Sequence, residues 1–352
     1  MQPNNKIEAV DFLKGYSILS IVIFHFFQGI HYGPLFARLI NFGGTGIHPF
    51  IFASGFGLYL SHLKKPLKSV PFFKKRFSKI YIPYIIIVLA SALISILIPI
   101  YANSWYAVFG HVFLYKMFDE NIEGSYGYQL WFISTIIQFY LFFPLIIWLR
   151  ERFPGGKILA VGLAISLGWA LGIVLLHLEG LRIWNSFFLQ FLWEFILGMY
   201  CAERFQLKNF RFWQISKLNL LLITIAGLSL YGLMALYGGD FGKQLNDVPA
   251  FFGYTSLCLL IYAFQIGWLN RWILFTASIS YSLFLIHFLV INLVLAFTNA
   301  IHLPYTAVLL VPMLAICYLV SVPLEIFFGL LINRLQSPGA SINGKQTPSR
   351  HE

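Results

Sequence analysis

Two polar residues in the first apolar segment could carry acid–base chemistry. Lys14 and His25 lie eleven residues apart in the stretch AVDFLKGYSILSIVIFHFF. Because an α-helix turns about 100° per residue, eleven steps return to nearly the same face, roughly 16 Å further along the axis. A neutral imidazole accepts protons near neutral pH. The spacing therefore predicts a cation and a proton acceptor on one helix stripe. The alternative interpretation of His25 is a histidine hydrogen-bonded between packed helices.

Two further histidines are candidates for the same site. His287 lies about fifteen residues into an apolar segment, at a depth expected to match that of His25. His48 follows Gly44 and Gly46, which permit close backbone approach, near the outer mouth of a second apolar segment. Either histidine could be functional, His48 by meeting an acceptor from outside, or either could be structural. The other histidines are expected at span ends or in loops, where solvation explains them (His31, His62, His111, His177 and His302).

Acidic residues in or near apolar segments are also functional candidates, because burying a carboxylate in a membrane is costly. They are Asp11, Glu194 and Glu325. Glu194 is expected within a turn or two of an inner basic loop, and Glu325 in the inner half of its segment. Salt bridges to basic residues are therefore the alternative interpretation.

A basic loop, KKPLKSVPFFKKRFSK at positions 64–79, could bind phosphate groups. Lys74, Lys75, Arg76 and Lys79 stand at the start of the following apolar segment, where charge-assisted contacts to a polyanion are possible. The alternative is that these cations only orient the segment in a membrane.

The elements that position these residues follow from composition. The 352 residues are 59% hydrophobic and 11% charged, against about 25% charged in an average soluble domain. A helical span needs roughly 20 apolar residues, and the apolar runs are too long and unalternated for an outer-membrane barrel. We predict an all-α, polytopic helical bundle with about ten spans. They cover residues 12–32, 46–63, 80–102, 130–149, 158–178, 186–202, 219–237, 249–268, 273–298 and 305–333.

The distribution of basic residues predicts the orientation of this bundle. With the N-terminus in the cytoplasm, 20 of the 24 Lys and Arg residues fall on the inner side. The exceptions are Arg38, Lys116, Arg182 and Lys243. This bias follows the positive-inside rule, so both termini are expected in the cytoplasm. The net charge of +11 is explained by orientation and by contact with anionic membrane lipid, and nothing indicates nucleic-acid binding.

The segments outside the spans are mostly short. The stretch 103–129 is long enough to include a short interfacial or re-entrant helix. Residues 336–352 are polar and rich in Gly, Pro and Ser, and are expected to form a disordered cytoplasmic tail after one membrane domain at 1–335.

Five segments together resemble the acyltransferase-3 family of integral-membrane acyltransferases. The first segment has a basic residue, Lys14 of DFLKG, followed by ten residues and then His25. The others are GGTGIHPFIFASGFGLYL with Ser54 and Gly55, RFSKIYIPY with Arg76 and Lys79, WEFILGMYCAE, and ISYSLFLIHF. The chain departs from the family pattern at Lys14, where the family has Arg, and at Ile136 and Ile137, where it has acidic residues. No fused esterase domain of the SGNH type is expected.

The resemblance implies transfer of an acyl group, acetyl in the first instance, from acyl-CoA to a hydroxyl of a carbohydrate or glycolipid. It implies catalysis by His25, with Lys14, His287 and His48 as further catalytic candidates. CoA would be held by Lys14, Lys74, Lys75, Arg76 and Lys79, with Ser54 and Gly55 shaping the channel. No metal is expected, and the location implied is the cytoplasmic (inner) membrane of a bacterium.

Two other classes of function stay open from the sequence. A secondary transporter or flippase would also have many spans and buried titratable residues, although the halves show no convincing repeat. A membrane scaffold or sensor would not need the polar stripe of Lys14 and His25.

Overall fold

The computed structural model describes residues 7–30, 33, 36, 40–207 and 210–336, without the side chains of residues 41–43, 240 and 243. Within these ranges the chain forms helices and loops and no β-strand, which confirms the predicted all-α class. The α-helices are α1 (Glu8–Gln28), α2 (Ile47–Lys64), α3 (Ser69–Leu97), α4 (Trp105–Val112), α5 (Trp131–Arg152), α6 (Lys157–Leu175), α7 (Arg182–Asn185), α8 (Leu192–Gln206), α9 (Lys217–Tyr237), α10 (Gly239–Leu245), α11 (Asp247–Ala263), α12 (Gly267–Ser278), α13 (Ser280–Ala300) and α14 (Leu310–Gln336).

Seven helical stretches of the described chain are long and apolar enough to cross a membrane. They are Glu8–Gln28, Ser69–Leu97, Tyr128–Arg152, Lys157–Leu175, Lys217–Tyr237, Ser280–Ala300 and Ala307–Gln336. The protein is therefore a multi-pass membrane protein. The count of ten spans and the cytoplasmic location of both termini stay predictions.

The other three predicted spans coincide with α2, α8 and α11, which have 18, 15 and 17 residues. Helix α2 packs most extensively against α8 and also contacts α11, while α11 packs along α9. Of these three, α8 and α11 are shorter than the roughly 20 residues of a typical helical crossing, although α11 is apolar. The predicted span at 273–298 is interrupted at Ile279, between α12 and α13.

Glycines allow the central helices α2 and α8 to cross closely. A Cβ atom on Gly55 would lie 2.1 Å from the carbonyl oxygen of Phe195, and one on Gly198 would lie 2.1 Å from that of Phe52. Only hydrogen fits at either position, as in the small-residue contacts common between membrane helices. The crossing fixes the relative height of the polar residues on the two helices.

The segment Asn41–Gly46 runs back along α1 before α2 begins. A Cβ on Gly44 would meet the ring of Phe24 at 3.3 Å, and one on Gly46 would meet the carbonyl oxygen of Ser17 at 2.8 Å. Because Ser17 is in the middle of α1, the chain is already deep in the bundle when α2 starts. His48 therefore lies level with the middle of α1, and its predicted location near the outer mouth of the second span stays a prediction.

The stretch 103–129 contains α4, a short helix as predicted, and a 3-10 turn at Tyr115–Phe118. The interfacial or re-entrant character of this helix stays a prediction. His111, at the end of α4, was expected to be solvated, but it is fully buried. Its Nδ1 lies 2.6 Å from the hydroxyl of Tyr84 and its Nε2 lies 2.8 Å from the hydroxyl of Ser125. Burial, followed by the nearby Lys116 ammonium, lowers the pKa of His111 well below its ordinary value.

Helix α14 continues to Gln336, and the remainder of the predicted disordered tail lies outside the described residues.

Candidate functional site

His25 lies in the last turn of α1 and stacks on His287 of α13. The ring centroids are 5.4 Å apart and the ring planes are inclined by 24°. His25 Nδ1 lies 2.8 Å from the amide oxygen of Gln28, one turn further along the same helix. Because an amide oxygen only accepts hydrogen bonds, Nδ1 carries the proton and the lone pair of the neutral ring is on Nε2. This tautomer is the one a proton acceptor needs.

His287 is fully buried, and its tautomer is fixed in the same way. Its Nδ1 donates to the carbonyl oxygen of Phe284 at 2.8 Å, with that of Leu283 at 3.2 Å. Its Nε2 is buried without a hydrogen-bond partner among the described residues. The structure therefore brings together two of the histidines selected from the sequence, each with a pyridine-type nitrogen available.

Lys14 is not part of this pair. It lies eleven residues before His25 on α1, roughly 16 Å along the axis. Its ammonium is 3.7 Å from the carboxylate of Asp11, and the two side chains are 33% and 27% exposed. Lys14 and His25 thus belong to different heights of one helix, as their spacing predicted.

His48 belongs to a second cluster, formed where α2, α8 and α11 meet. Its Nδ1 lies 2.7 Å from Glu194 Oε1, and its Nε2 lies 3.8 Å from Asp247 Oδ1. Gln190 Nε2 donates to Asp247 Oδ2 at 2.7 Å. His48 and Glu194 are almost completely buried, so the hydrogen bond to Glu194 holds the imidazole in a fixed orientation, with Asp247 near its other nitrogen. Within the described ranges, no group of three or more His, Cys, Asp and Glu side chains is placed to hold a metal ion.

Glu194 was expected near the inner basic loop, and the structure corrects that expectation. Helix α8 begins at Leu192, so Glu194 is in its first turn, beside His48. The acid that pairs with a basic residue at the other end of α8 is Glu203, whose partner is Arg150 of α5. Sequence reasoning missed Asp247 because a single Asp at a helix start is an ordinary capping residue.

A polar cavity of about 400 Å³ opens beside this cluster, and we call it the first polar cavity. Its lining combines aromatic, amide and charged side chains with two glycines: Gly44, Ile47, His48, Tyr128, Trp131, Glu179, Gly180, Arg182, Asn185, Gln190, Phe191, Gln244 and Asp247. Aromatic faces beside amides and carboxylates suit a ligand rich in hydroxyl groups, which needs both donors and acceptors.

Arg182, in α7, links this cavity to the two histidine clusters. Its guanidinium lies 4.0 Å from the Trp131 ring centroid and 5.1 Å from that of Tyr128. It lies within electrostatic range of both His25 and Asp247. Its Nε atom is buried without a hydrogen-bond partner among the described residues. In the sequence, Arg182 stands out only as one of the four exceptions to the positive-inside bias.

A second cavity, of about 320 Å³, lies at the opposite end of α2, and we call it the basic cavity. Its lining is Leu58, Ser61, His62, Lys65, Pro66, Leu67, Lys68, Pro71, Phe72, Lys75, Arg76 and Phe143. His48 and Ser61 are thirteen residues apart on α2, about 20 Å along the axis. The two cavities are therefore separated by most of the thickness of a bilayer core.

The structure separates the four basic residues selected from the sequence. Lys75 and Arg76 line the basic cavity, and the Arg76 guanidinium lies 6.0 Å from the ring centroids of Phe72 and Tyr140. Lys74 and Lys79 are exposed on the same helix outside that lining. Lys65 and Lys68 also line the cavity, and no sequence pattern distinguishes them from the other cations of the loop.

Ser54 and Gly55 lie midway along α2, between the two cavities. Ser54 is half-buried, and Gly55 faces the backbone of Phe195 across the α2–α8 crossing. Close packing is thus a sufficient reason for glycine at position 55, and the channel-shaping role inferred for these residues stays a prediction.

The fold and the site define a polytopic membrane protein with a stacked histidine pair. The first polar cavity and the basic cavity lie at opposite ends of α2. Residues 7–322 match the family model described as an acyltransferase domain, that of the acyltransferase-3 family, and the chain belongs to this family. It is therefore an acyltransferase, which confirms the resemblance. Neither the curated proteins nor the solved structures give a match.

Proposed function

We propose that this acyltransferase moves an acyl group, acetyl in the first instance, from acyl-CoA to a hydroxyl of a carbohydrate or glycolipid. The observation that carries the proposal is the pair of cavities at the two ends of α2. One is lined by cations, and the other by aromatic, amide and carboxylate side chains. Such a division suits a polyanionic donor and a hydroxyl-rich acceptor that approach from opposite ends of the bundle.

The basic cavity is the proposed donor site. Coenzyme A carries a pyrophosphate and a ribose phosphate, and Lys65, Lys68, Lys75 and Arg76 offer charge-assisted contacts to them. Lys74 and Lys79 would add to the local positive potential rather than bind directly. The pantetheine arm would extend along α2 past Ser54 and Gly55, and Lys14 would face the passage from α1. With the basic end in the cytoplasm, the donor would bind on the side where acyl-CoA is made.

His25 is the proposed general base. Its Nε2 would take the proton from the acceptor hydroxyl as that oxygen attacks the thioester carbonyl carbon. A C–O ester bond forms, the C–S bond breaks, and the proton leaves with the CoA thiolate as thiol. Gln28 keeps Nδ1 protonated, and His287 supports the ring by stacking. A covalent acyl-histidine intermediate would use the same nitrogen.

The first polar cavity is the proposed acceptor site, with His48 oriented by Glu194 in its wall. Trp131, Tyr128 and Phe191 supply aromatic faces, and Gln190 and Asn185 supply polar groups. We place the protein in the cytoplasmic membrane of a bacterium on the strength of its basic loops. Membership of an acyltransferase family favours this activity over transport without acyl chemistry.

The test uses the full-length protein in lipid nanodiscs with radiolabelled acetyl-CoA and a panel of neutral sugars. We expect release of free CoA together with labelled sugar ester, and loss of both in His25→Ala. Absence of label transfer from acetyl-CoA and from longer acyl-CoAs to every sugar would reject the proposal.

A further inference from the structure

Besides the first polar cavity and the basic cavity, the protein has another cavity, of about 570 Å³. It lies beside the first polar cavity, and we call it the second polar cavity. It is enclosed by the segment between α3 and α5, and its lining includes Tyr101, Ala102, Glu123 and Tyr126. Tyr128 and Arg182 line both polar cavities. The two cavities therefore adjoin at these two side chains.

The wall of the second polar cavity holds a carboxylate without hydrogen bonds. Glu123 is 2% exposed, and neither of its oxygens has a hydrogen-bond partner among the described residues. The Lys116 ammonium lies 3.8 Å from Glu123 Oε2, and donates instead to the Glu123 backbone carbonyl at 2.9 Å. A buried acceptor without a hydrogen bond destabilises the folded protein unless a ligand or a water molecule donates to it. Sugar hydroxyls are donors that a carboxylate binds well.

Hydrogen bonds hold the junction between the two polar cavities in place. Both carboxylate oxygens of Glu120 accept backbone N–H groups, from Arg182 at 2.5 Å and from Ile183 at 2.9 Å. This anchors the start of α7 to the 98–128 segment. The Arg182 guanidinium is then fixed against Trp131, with a buried Nε that has no hydrogen-bond partner in the described part of the chain. Because Arg182 lines both cavities, its guanidinium can contact a ligand that spans them.

The charges of the two cavities indicate what kind of ligand fits. Glu120 and Glu123 line the second cavity and Glu179 and Asp247 line the first, whereas Arg182 is the one Lys or Arg among the described lining residues of either cavity. An anionic group in either cavity would meet two acidic side chains and one described guanidinium, at low dielectric. A neutral, hydroxyl-rich group would not carry this cost.

We propose that the second polar cavity is a sugar subsite joined to the first at Arg182, so that the acceptor is a neutral glycan of two or more units. This rests on the proposed function, which places the reacting sugar in the first polar cavity. The subsite makes the enzyme specific for chain length and selects against uronic acids and phosphorylated sugars.

The test measures binding separately from turnover, with full-length protein in nanodiscs. The probes are methyl glycosides of glucose, galactose, mannose and rhamnose, neutral disaccharides of the same sugars, and disaccharides that contain glucuronic acid. We expect at least one neutral disaccharide to bind at least tenfold more tightly than its methyl glycoside, and the acidic disaccharides to bind at least tenfold more weakly than the neutral ones.

Two variants, with a control, test whether the disaccharide preference arises in the second polar cavity. Ala102→Trp places a bulky side chain at an exposed position in the lining of the second polar cavity, and should reduce disaccharide affinity to that of the methyl glycoside. Phe113→Trp, an exposed position in the same segment outside that lining, is the control and should leave both affinities unchanged. Glu123→Gln should weaken the disaccharide alone by about tenfold, because a neutral amide accepts hydroxyl hydrogen bonds less strongly.

The outcomes separate the two proposals. A disaccharide preference that Ala102→Trp removes, without label transfer from acyl-CoA, would reject the proposed function and leave the subsite in place. Label transfer together with equal binding affinities for methyl glycosides and disaccharides would overturn the subsite. A disaccharide preference unchanged by Ala102→Trp would overturn it as well. A preference for acidic disaccharides would overturn the charge argument and with it the proposal.

Discussion

The imidazole rings of His25 and His287 stack at a centroid distance of 5.4 Å, although they come from the first helix and from one near the end of the chain. Each Nδ1 is committed to an oxygen of its own helix, the Gln28 amide or the Phe284 carbonyl. The two helices therefore deliver two imidazoles with their basic nitrogens unprotonated. This is the arrangement on which the catalytic predictions depend.

His25→Ala should lower kcat for acyl transfer by about 10²- to 10⁴-fold, the range expected when a general base is lost. The measurement is release of CoA thiol by nanodisc-embedded protein, with the amount of folded protein matched by size-exclusion chromatography. His302→Ala, an exposed histidine in a loop, is the matched control and should keep full activity. Activity within threefold of the unmodified protein in His25→Ala would place the base elsewhere.

Gln28→Leu should lower kcat by roughly tenfold, because the His25 ring loses the acceptor that fixes its tautomer. Gln28 is exposed, so the change should leave thermal stability nearly intact. A positioning role also predicts a change in the pH–rate profile, and rescue by Gln28→Glu, which restores an oxygen acceptor. An unchanged pH–rate profile in Gln28→Leu would show that the residue does not act through His25.

Arg76→Gln should raise KM for acetyl-CoA by about 10- to 100-fold, since a hydrogen bond to a charged group contributes about 1.5–3 kcal/mol. The effect should shrink as salt is added, because ions screen the contact between guanidinium and phosphate. Arg152→Gln removes an exposed charge outside the lining of the basic cavity and should leave KM unchanged. Equal effects of the two changes would indicate general attraction rather than a site.

Gly55→Ala should destabilise the protein by about 1–3 kcal/mol or prevent folding, because the added methyl group meets the Phe195 carbonyl oxygen. Gly57→Ala is the matched control, since a Cβ there has nothing within 4 Å. Thermal unfolding in nanodiscs measures both. A Gly55→Ala protein of normal stability with a raised KM for acetyl-CoA would instead support a direct role of Gly55 in the donor passage.

The buried pair of Lys116 and Glu123 should make stability depend on pH. Burial raises the pKa of Glu123 from 4.5 to about 7 and lowers the pKa of Lys116 from 10.5 to about 8. Between pH 5 and 7 the folded state thus binds a proton on Glu123 that the unfolded state has lost, so stability should fall as pH rises. Above pH 8 the neutral folded form of Lys116 should reverse the trend.

The double variant Lys116→Met with Glu123→Gln removes both charges. Its Tm relative to the unmodified protein should therefore increase from pH 5 to pH 7. Lys116→Met alone should be the less stable variant at pH 8, because it leaves a buried carboxylate without its counter-ion. A Tm difference between double variant and unmodified protein that is constant across this range would contradict the pH argument.

The sequence alone determined the class of fold and the position of His25. Apolar runs of about 20 residues with few charges have no stable alternative to helices in a membrane. Helical periodicity then placed Lys14 and His25 on one stripe, at different heights. Both results follow from local geometry, which needs no knowledge of how the helices pack.

Tertiary packing decided the partners of the polar residues. Glu194 lies beside His48 and not near the basic loop. Helix α8 begins at Leu192 rather than at the predicted 186, so Glu194 is in its first turn, at the end away from that loop. Asp247 and Arg182 joined the site only through contacts between segments far apart in the chain. His48 lies level with the middle of α1 because the turn at Asn41–Gly46 runs back along that helix, and no periodic pattern encodes that approach. A sequence pattern records the direction of each side chain on its own helix, whereas the group it meets depends on how the helices cross.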